Sequence, residues 1–381
     1  MAGAGALSSH NAGMLPTAAT PSLPSRPGAR HWRAMAGALA VLWLAGCADT
    51  RYYWQSVSGH LQLMQAARPV TQWLDDAQVP APLKDRLRLS QRMRDFAVRE
   101  LALPDNASYR RYADLHRSAA VWNVVAAPPY ALDLHAWCFP VLGCVTYRGY
   151  FDQAQAGHEA EALRAQGLEV SVYGVPAYST LGWLNWFGGD PLLNTFIDDP
   201  QGQLARLLFH ELAHQIVYAR DDTAFNESFA TAVGRLGSAR WLATHAPAGA
   251  ADAQAVQDQR QREFRQLVSA TRARLERLYR NDEGLDRAAL QQHKQSVMQE
   301  FRARYATLRN GWGGYAGYDA WVARANNASL GAQAAYDELV PQFEALFARS
   351  GQDWPSFYDA VRRLAALPPD VRRAALARAA E

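Results

Sequence analysis

The chain has 381 residues, 49% of them hydrophobic, with 39 Lys and Arg against 36 Asp and Glu for a net charge of +3. That is enough apolar material to bury a large core, as one elaborate domain or as two tightly joined ones. Charges of both signs are interspersed, so no basic stripe argues for a nucleic-acid partner.

Residues 1–47 read as lying outside the fold. Met1 to Arg30 is rich in small residues, Pro and Ser, the composition of a segment that stays disordered or of an over-extended gene start. Arg30, His31 and Arg33 then precede the apolar run Ala34 to Ala45, and the stretch closes on Leu44-Ala45-Gly46-Cys47. A positive start, a short apolar run and a small-residue cleavage site describe an export signal. With about twelve residues the run is too short for a bilayer, which needs about twenty. Its end resembles a bacterial lipobox, in which the Cys, here Cys47, becomes the lipidated first residue after cleavage. Ala48 rather than Asp follows, which by analogy with lipoprotein sorting favours the outer membrane, facing the periplasm. Acyl chains on Cys47 would be the membrane attachment.

Residues 48–120 read as an N-terminal helical layer. SVSGHLQLMQAA and PLKDRLRLSQRMRDFAVRELAL carry helical periodicity, and Pro104-Asp105-Asn106 is expected to break and restart a helix. From Val121 to Asp198 the texture turns β-like in VWNVVAA, GCVTYRGYF and LEVSVYGVPAYSTLGW, with a helix from about Asp152 to Gln166 between the last two. Val172 to Leu181 is expected to be an edge strand, to which an extended peptide can add as a further strand. Cys138 and Cys144 lie six positions apart, and in an exported chain they predict a local disulfide.

The segment His210-Glu211-Leu212-Ala213-His214 lies in the apolar run LARLLFHELAHQIVYA. On a helix, His210 and His214 stand one above the other on one face, so both imidazoles can reach one metal ion. Glu211 sits about 100° round the helix from His210, where a carboxylate can take a proton from an activated water. The helix is apolar on nearly all sides and should be buried. A buried His-Glu-His without a metal would leave three polar groups to satisfy in a poor solvent for them. A catalytic zinc takes three protein ligands and keeps a fourth position open. The third is sought in DDTAFNESFATAVG, where Asn226 is placed to cap a second helix and Glu227 falls in its first turn, thirteen positions beyond His214. Glu227 is the leading choice, with Asp221 and Asp222 as competitors.

Residues 246–381 read as a C-terminal helical region. A long charged helix over AQAVQDQRQREFRQLVSATRARLERLYR is followed by one from about Leu285 to Leu308. A Gly/Trp/Tyr-rich interruption then precedes terminal helices at about Ala332 to Phe347 and Trp354 to Ala365. The fold class expected is α+β and predominantly helical, with a zincin-like catalytic core over residues 121–245 built on a small mixed sheet.

YYWQSVSGHLQLM, CFPVLGCVTYRGYFD, YGVPAYSTLGW, DPLLNTF, LFHELAHQIVYARDDTAFNESFATAVG and NNASL together resemble a bacterial aminopeptidase family of zinc lipoproteins, over roughly Arg51 to Leu364. Likeness to the wider gluzincin class implies His210 and His214 as ligands of one Zn2+ per chain, Glu227 as third ligand and Glu211 as general base. Two positions depart from that pattern. Many gluzincins carry an Asp four positions after the third ligand to support a metal histidine, and Thr231 stands there, so Asp221, Asp222 or a backbone carbonyl must serve. YGVPAYSTLGW also lacks the acid that holds a substrate's ammonium group in related aminopeptidases, so that group must come from elsewhere, with Asp190 and Asp222 as candidates, or the enzyme is not an aminopeptidase. Tyr178, Tyr218 and Tyr336 are candidates for the donor that steadies the oxyanion in the transition state. The function expected is zinc-dependent peptide hydrolysis, by an aminopeptidase or a periplasmic metalloendopeptidase. The alternative is a non-catalytic, zinc-stabilised envelope lipoprotein.

Overall fold

The computed structural model describes residues 52–139, 143–177, 189–280, 284–334 and 339–380. Helix α1 spans 52–66 and buries Leu63 and Met64, and β1 (Arg68–Pro69) leads from it into α2 (Val70–Asp75). Pro82 stands in the first turn of α3 (Ala81–Leu101), where its missing N–H has no helical partner to lose. Leu87, Met93, Phe96, Ala97 and Leu101 form the buried face of α3.

No helix restarts after Pro104. Arg94 of α3, fully buried, donates to the carbonyls of Pro104, Asn106 and Ser108, so the oxygens a new helix would need are taken by a guanidinium. The chain goes on instead into β2 (Arg111–Ala113), which pairs antiparallel with β1 and parallel with β8 (Leu192–Leu193). Strands of two or three residues leave too little periodicity to be read in advance.

A second sheet has the order β6-β3-β7, antiparallel throughout. Its centre, β3 (Val121–Ala127), is buried at every position, as an uninterrupted apolar run requires. The flanking strands are β6 (Arg148–Tyr150) and β7 (Glu169–Val175), and α4 (Gln153–Ala165) connects them. Asp152 caps α4 by accepting from the Gln155 N–H at 2.8 Å. These elements follow the runs expected from the sequence. β7 is an outer strand and includes Val172 to Val175 of the expected edge, whereas Tyr178 to Leu181 lie outside the described residues. Strands β4 (Trp137–Phe139) and β5 (Gly143–Val145) form a hairpin in which Cys138 faces Cys144, and a disulfide joins the two.

Helices α5 (Gln201–Ala213) and α6 (Thr223–His245) lie against one another in the main core. Beyond them α7 (Ala250–Arg280) and α8 (Arg287–Gly311) pair around Phe264, Leu267, Val268, Leu275, Met298 and Phe301, a second core that α9 (Asp319–Arg324) completes. The helix expected from Ala332 to Phe347 is two, α10 (Asn327–Ala334) and α11 (Val340–Arg349). Pro341 stands in the first turn of α11, where it favours starting a helix over continuing one. Helix α12 (Trp354–Ala365) has the expected bounds, and α13 (Pro369–Ala380) was not anticipated. The architecture is thus α+β and mostly helical, and from Trp54 onward it forms one compact unit. Among the described residues no helix is long and apolar enough to cross a membrane.

Candidate metal centre

Helix α5 carries the His-Glu-x-x-His segment at its C-terminal end. Leu204, Ala205, Leu208, Phe209, Leu212 and Ala213 are completely buried, which fixes the helix's rotation and leaves His210 and Glu211 half-buried. His214 is the C-cap residue, its N–H bonded to the His210 carbonyl at 3.3 Å.

The connection from α5 to α6 is pinned at three points. Asn226 does not cap α6; Asp222 does, accepting from the Phe225 N–H at 3.1 Å. Helix α6 therefore begins earlier than expected and puts Glu227 in its second turn. Buried Asn226 instead grips the connection, accepting from the Ala219 N–H and donating to the Ala219 carbonyl, both at 2.8 Å. The second oxygen of Asp222 takes a 2.6 Å bond from Arg372 of α13, and both side chains are about 5% exposed.

At Gly234 the backbone of α6 lies close against that of α5, and at Gly237 it lies close against side chains of α3 and α5. A Cβ at Gly234, two turns on from Glu227, would stand 2.7 Å from the Arg206 carbonyl oxygen and 3.3 Å from the His210 Cβ; one at Gly237 would stand 2.7 Å from Leu101 and 2.9 Å from Phe209. Glycine at these places lets α6 come near enough for a glutamate to reach the histidines.

It does reach them. The Nε2 atoms of His210 and His214 are 3.1 Å apart, and Glu227 Oε2 lies 3.4 Å from the first and 3.7 Å from the second. Among the described residues this is the one group of His, Cys, Asp and Glu side chains with the spacing of a metal site. A triangle with those sides has a point about 2.0 Å from all three corners, which matches zinc–nitrogen and zinc–oxygen bonds of about 2.0–2.2 Å. Two imidazoles and a carboxylate are also the donors that zinc favours. The residues fit the ion, and no fourth side chain of these types joins them among the described residues.

Electrostatics sharpen the site. Burial, with His210 alongside, lowers His214 to about 4 against the pull of Glu227, so its imidazole is neutral with a lone pair to offer. Burial also works against charge on His210, but its hydrogen bond to Glu227 and the charges of Glu211 and Glu227 outweigh this and raise it. Burial would raise Glu227; the two histidines overcome that and hold it below the usual carboxylate range.

The remaining candidates fall elsewhere. Asp221 has a left-handed backbone (φ 58), a half-exposed carboxylate beside Arg220, and an oxygen 3.3 Å from the Cys144 N–H. Neither it nor Asp222 joins the metal-spaced group. Tyr218 is 43% exposed, and burial followed by the charge of Asp221 raises its hydroxyl, with Glu227 adding a smaller push. Asp190 is 1% exposed; its N–H donates to Ser108 Oγ and its carbonyl accepts from the Tyr109 N–H at 2.6 Å. Cys47, Tyr178 and Tyr336 lie outside the described residues. Sequence reasoning missed Gly234, Arg372 and the latch made by Asn226. A glycine in a helix interior was the one visible signal among these.

The model of the family described as "Putative aminopeptidase" matches residues 51–376. The chain belongs to that family. Membership supports peptidase activity in general terms. No curated protein and no solved structure matches the chain.

Proposed function

We propose that this family member is a zinc-dependent metallopeptidase, an aminopeptidase held at the bacterial cell envelope through lipidated Cys47. The observation that carries the reading is the convergence of His210, His214 and Glu227 on one point, with Glu211 on the same helix as the two histidines. One zinc ion held there would supply Lewis acidity, bringing the pKa of water down towards 7 and polarising a peptide carbonyl.

The chain's own residues do the rest. His210, His214 and Glu227 orient the substrate carbonyl indirectly, by fixing the point at which the ion sits. Glu211 takes the proton of the attacking water and returns it to the leaving amine. Tyr218, close enough to Glu227 to feel its charge, is the described candidate for steadying the oxyanion; Tyr178 and Tyr336 share that candidacy. The outer strand β7 supports an extended peptide lying along its edge, although Asn326 Nδ2 already occupies the Val170 carbonyl near its start.

An endopeptidase is the second reading, and the placement of two acids favours it. Asp222 is committed to Arg372, and Asp190 is almost wholly enclosed, so neither is readily offered to a substrate ammonium group. A structural, non-catalytic zinc site would need a fourth side-chain ligand, and the described residues supply none.

The deciding experiment compares zinc-loaded wild type with Glu211→Gln on a peptide and its N-acetylated counterpart. Retained zinc with turnover lost in Glu211→Gln is expected, and turnover at the wild-type rate rejects the mechanism. A large loss on acetylation marks an aminopeptidase; indifference marks an endopeptidase. Labelled fatty acid should be incorporated by wild type and not by Cys47→Ser.

A further inference from the structure

Seven large hydrophobic side chains are exposed among the described residues, and four of them, Tyr53, Trp54, Val57 and Leu61, fall within nine consecutive positions. Single exposed hydrophobics are ordinary, but a cluster marks a surface that something covers. Trp54, Val57 and Leu61 are spaced i, i+3 and i+7, so they share one face of α1, and they are 74%, 55% and 41% exposed. Helix α1 contains no Asp, Glu, Lys or Arg, so no charge of its own interrupts the stripe.

The stripe cannot turn inward. On the opposite side of the helix, buried Gln55 donates to the Gly149 carbonyl at 3.2 Å and accepts from the Phe151 N–H at 3.1 Å. Gly59, one turn on, lies so near Phe151 that a Cβ there would stand 2.3 Å from the ring, and Leu63 continues the packed side a turn later. These contacts set the rotation of α1 about its axis, and with it the outward aim of Trp54, Val57 and Leu61.

The chain just upstream indicates what covers the stripe. Residues 1–51 lie outside the described ones and include the apolar run Ala34 to Ala45 and Cys47. Cys47 stands seven positions before Trp54, so the two are at most about 25 Å apart however the link runs. An acyl chain on Cys47 would therefore keep the stripe within reach of a bilayer surface. Trp suits that depth, where its ring finds apolar surroundings and its N–H stays wet. A helix without a charged side chain also has no ion to strip of water on entering.

We propose that α1 is a membrane-docking face: Trp54, Val57 and Leu61 insert between the headgroups of the bilayer to which Cys47 is tethered. The contact fastens the compact unit to the surface, where an acyl anchor alone leaves it to swing. The choice of lipid as occupant rests on the envelope reading, but the outward stripe does not.

The test uses residues 48–381, which keep the compact unit from Trp54 onward and carry no acyl chain. They are sedimented with vesicles of zwitterionic phosphatidylcholine, so that attraction of basic side chains to anionic lipid plays no part. Wild type should co-sediment equally at about 0.1 M and about 1 M salt, since α1 has no charge to screen. Trp54→Gln, Val57→Gln and Leu61→Gln together should lower the vesicle partition coefficient about tenfold or more. Urea unfolding should be unchanged, because exposed side chains carry little of the fold. Val256→Gln with Val371→Gln, exposed elsewhere, should leave binding as it is, and a comparable loss there overturns the proposal. Wild type that stays in the supernatant overturns it, as does a folded triple variant that binds like wild type. Sedimentation velocity without lipid covers another occupant: a dimer that the triple variant turns into a monomer gives the face to a second copy of this chain and overturns the proposal. Labelled fatty acid separates the two readings. Label on Cys47 of the full chain while residues 48–381 ignore vesicles keeps the anchor and rejects the docking face; vesicle binding by residues 48–381 with no label on the full chain rejects the anchor alone.

Discussion

Gly234→Ala tests whether the closeness of α5 and α6 is what delivers Glu227 to the two histidines. In a helix interior this exchange normally stabilises by about 0.5–1 kcal/mol, because alanine has less conformational freedom to lose. Gly157 in α4, with nothing within 4 Å of its would-be Cβ, should show that gain and serves as the control. At Gly234 the new methyl meets the Arg206 carbonyl at 2.7 Å, and ordinary contact begins near 3.4 Å, so the helices must part by about 0.5 Å or more. Overpacking of this kind costs about 1–3 kcal/mol, which leaves Gly234→Ala roughly 1 kcal/mol less stable than wild type. The effect on metal is larger, since ligand distances tolerate only about 0.2 Å. Zinc affinity should fall about tenfold or more, read by competition with a chromophoric chelator, while urea unfolding reports stability. If Gly234→Ala gains stability as Gly157→Ala does and binds zinc like wild type, the α5–α6 contact is slack and some other feature places Glu227.

Further tests address the metal and its supports. Glu227→Ala should lose stoichiometric zinc although Glu211→Gln keeps it; full zinc in Glu227→Ala removes that residue from the site. Chelation should lower the Tm of wild type and zinc should restore it, by up to about 4 kcal/mol at a thousandfold excess over Kd; no change would mean that the folded state does not bind the ion. Arg372→Leu should cost about 3–5 kcal/mol in urea, because it strands the buried Asp222 carboxylate, and a cost under about 1 kcal/mol would show that water reaches Asp222. Replacing Cys138 and Cys144 with serine opens a short hairpin loop, so the expected loss is only about 2 kcal/mol; an unfolded product would show that the hairpin carries more of the fold than its contacts indicate.

What could be read beforehand divides along a physical line. Helix α5, β3, α4 and the closeness of His210 to His214 rest on period and spacing within one element, and these the residues declare for themselves. Glu227 was within reach because only a short connection separates α6 from α5, so few placements were open to it. The start of α6 was misjudged because Asp222 and Asn226 both suit an N-cap, and the choice between them is made by Arg372, 150 positions downstream. The helix foreseen after Pro104 is likewise cancelled by Arg94, an arginine that a period-based reading would leave on the surface of α3. After Pro104 a buried guanidinium takes the carbonyls that a helix would use, and at α6 another holds the spare oxygen of the capping Asp222, so in both cases a tertiary charge outweighs propensities worth a few tenths of a kcal/mol per residue. The residues proposed to hold a metal are thus legible from local pattern, while the groups that position them are visible only once distant segments meet.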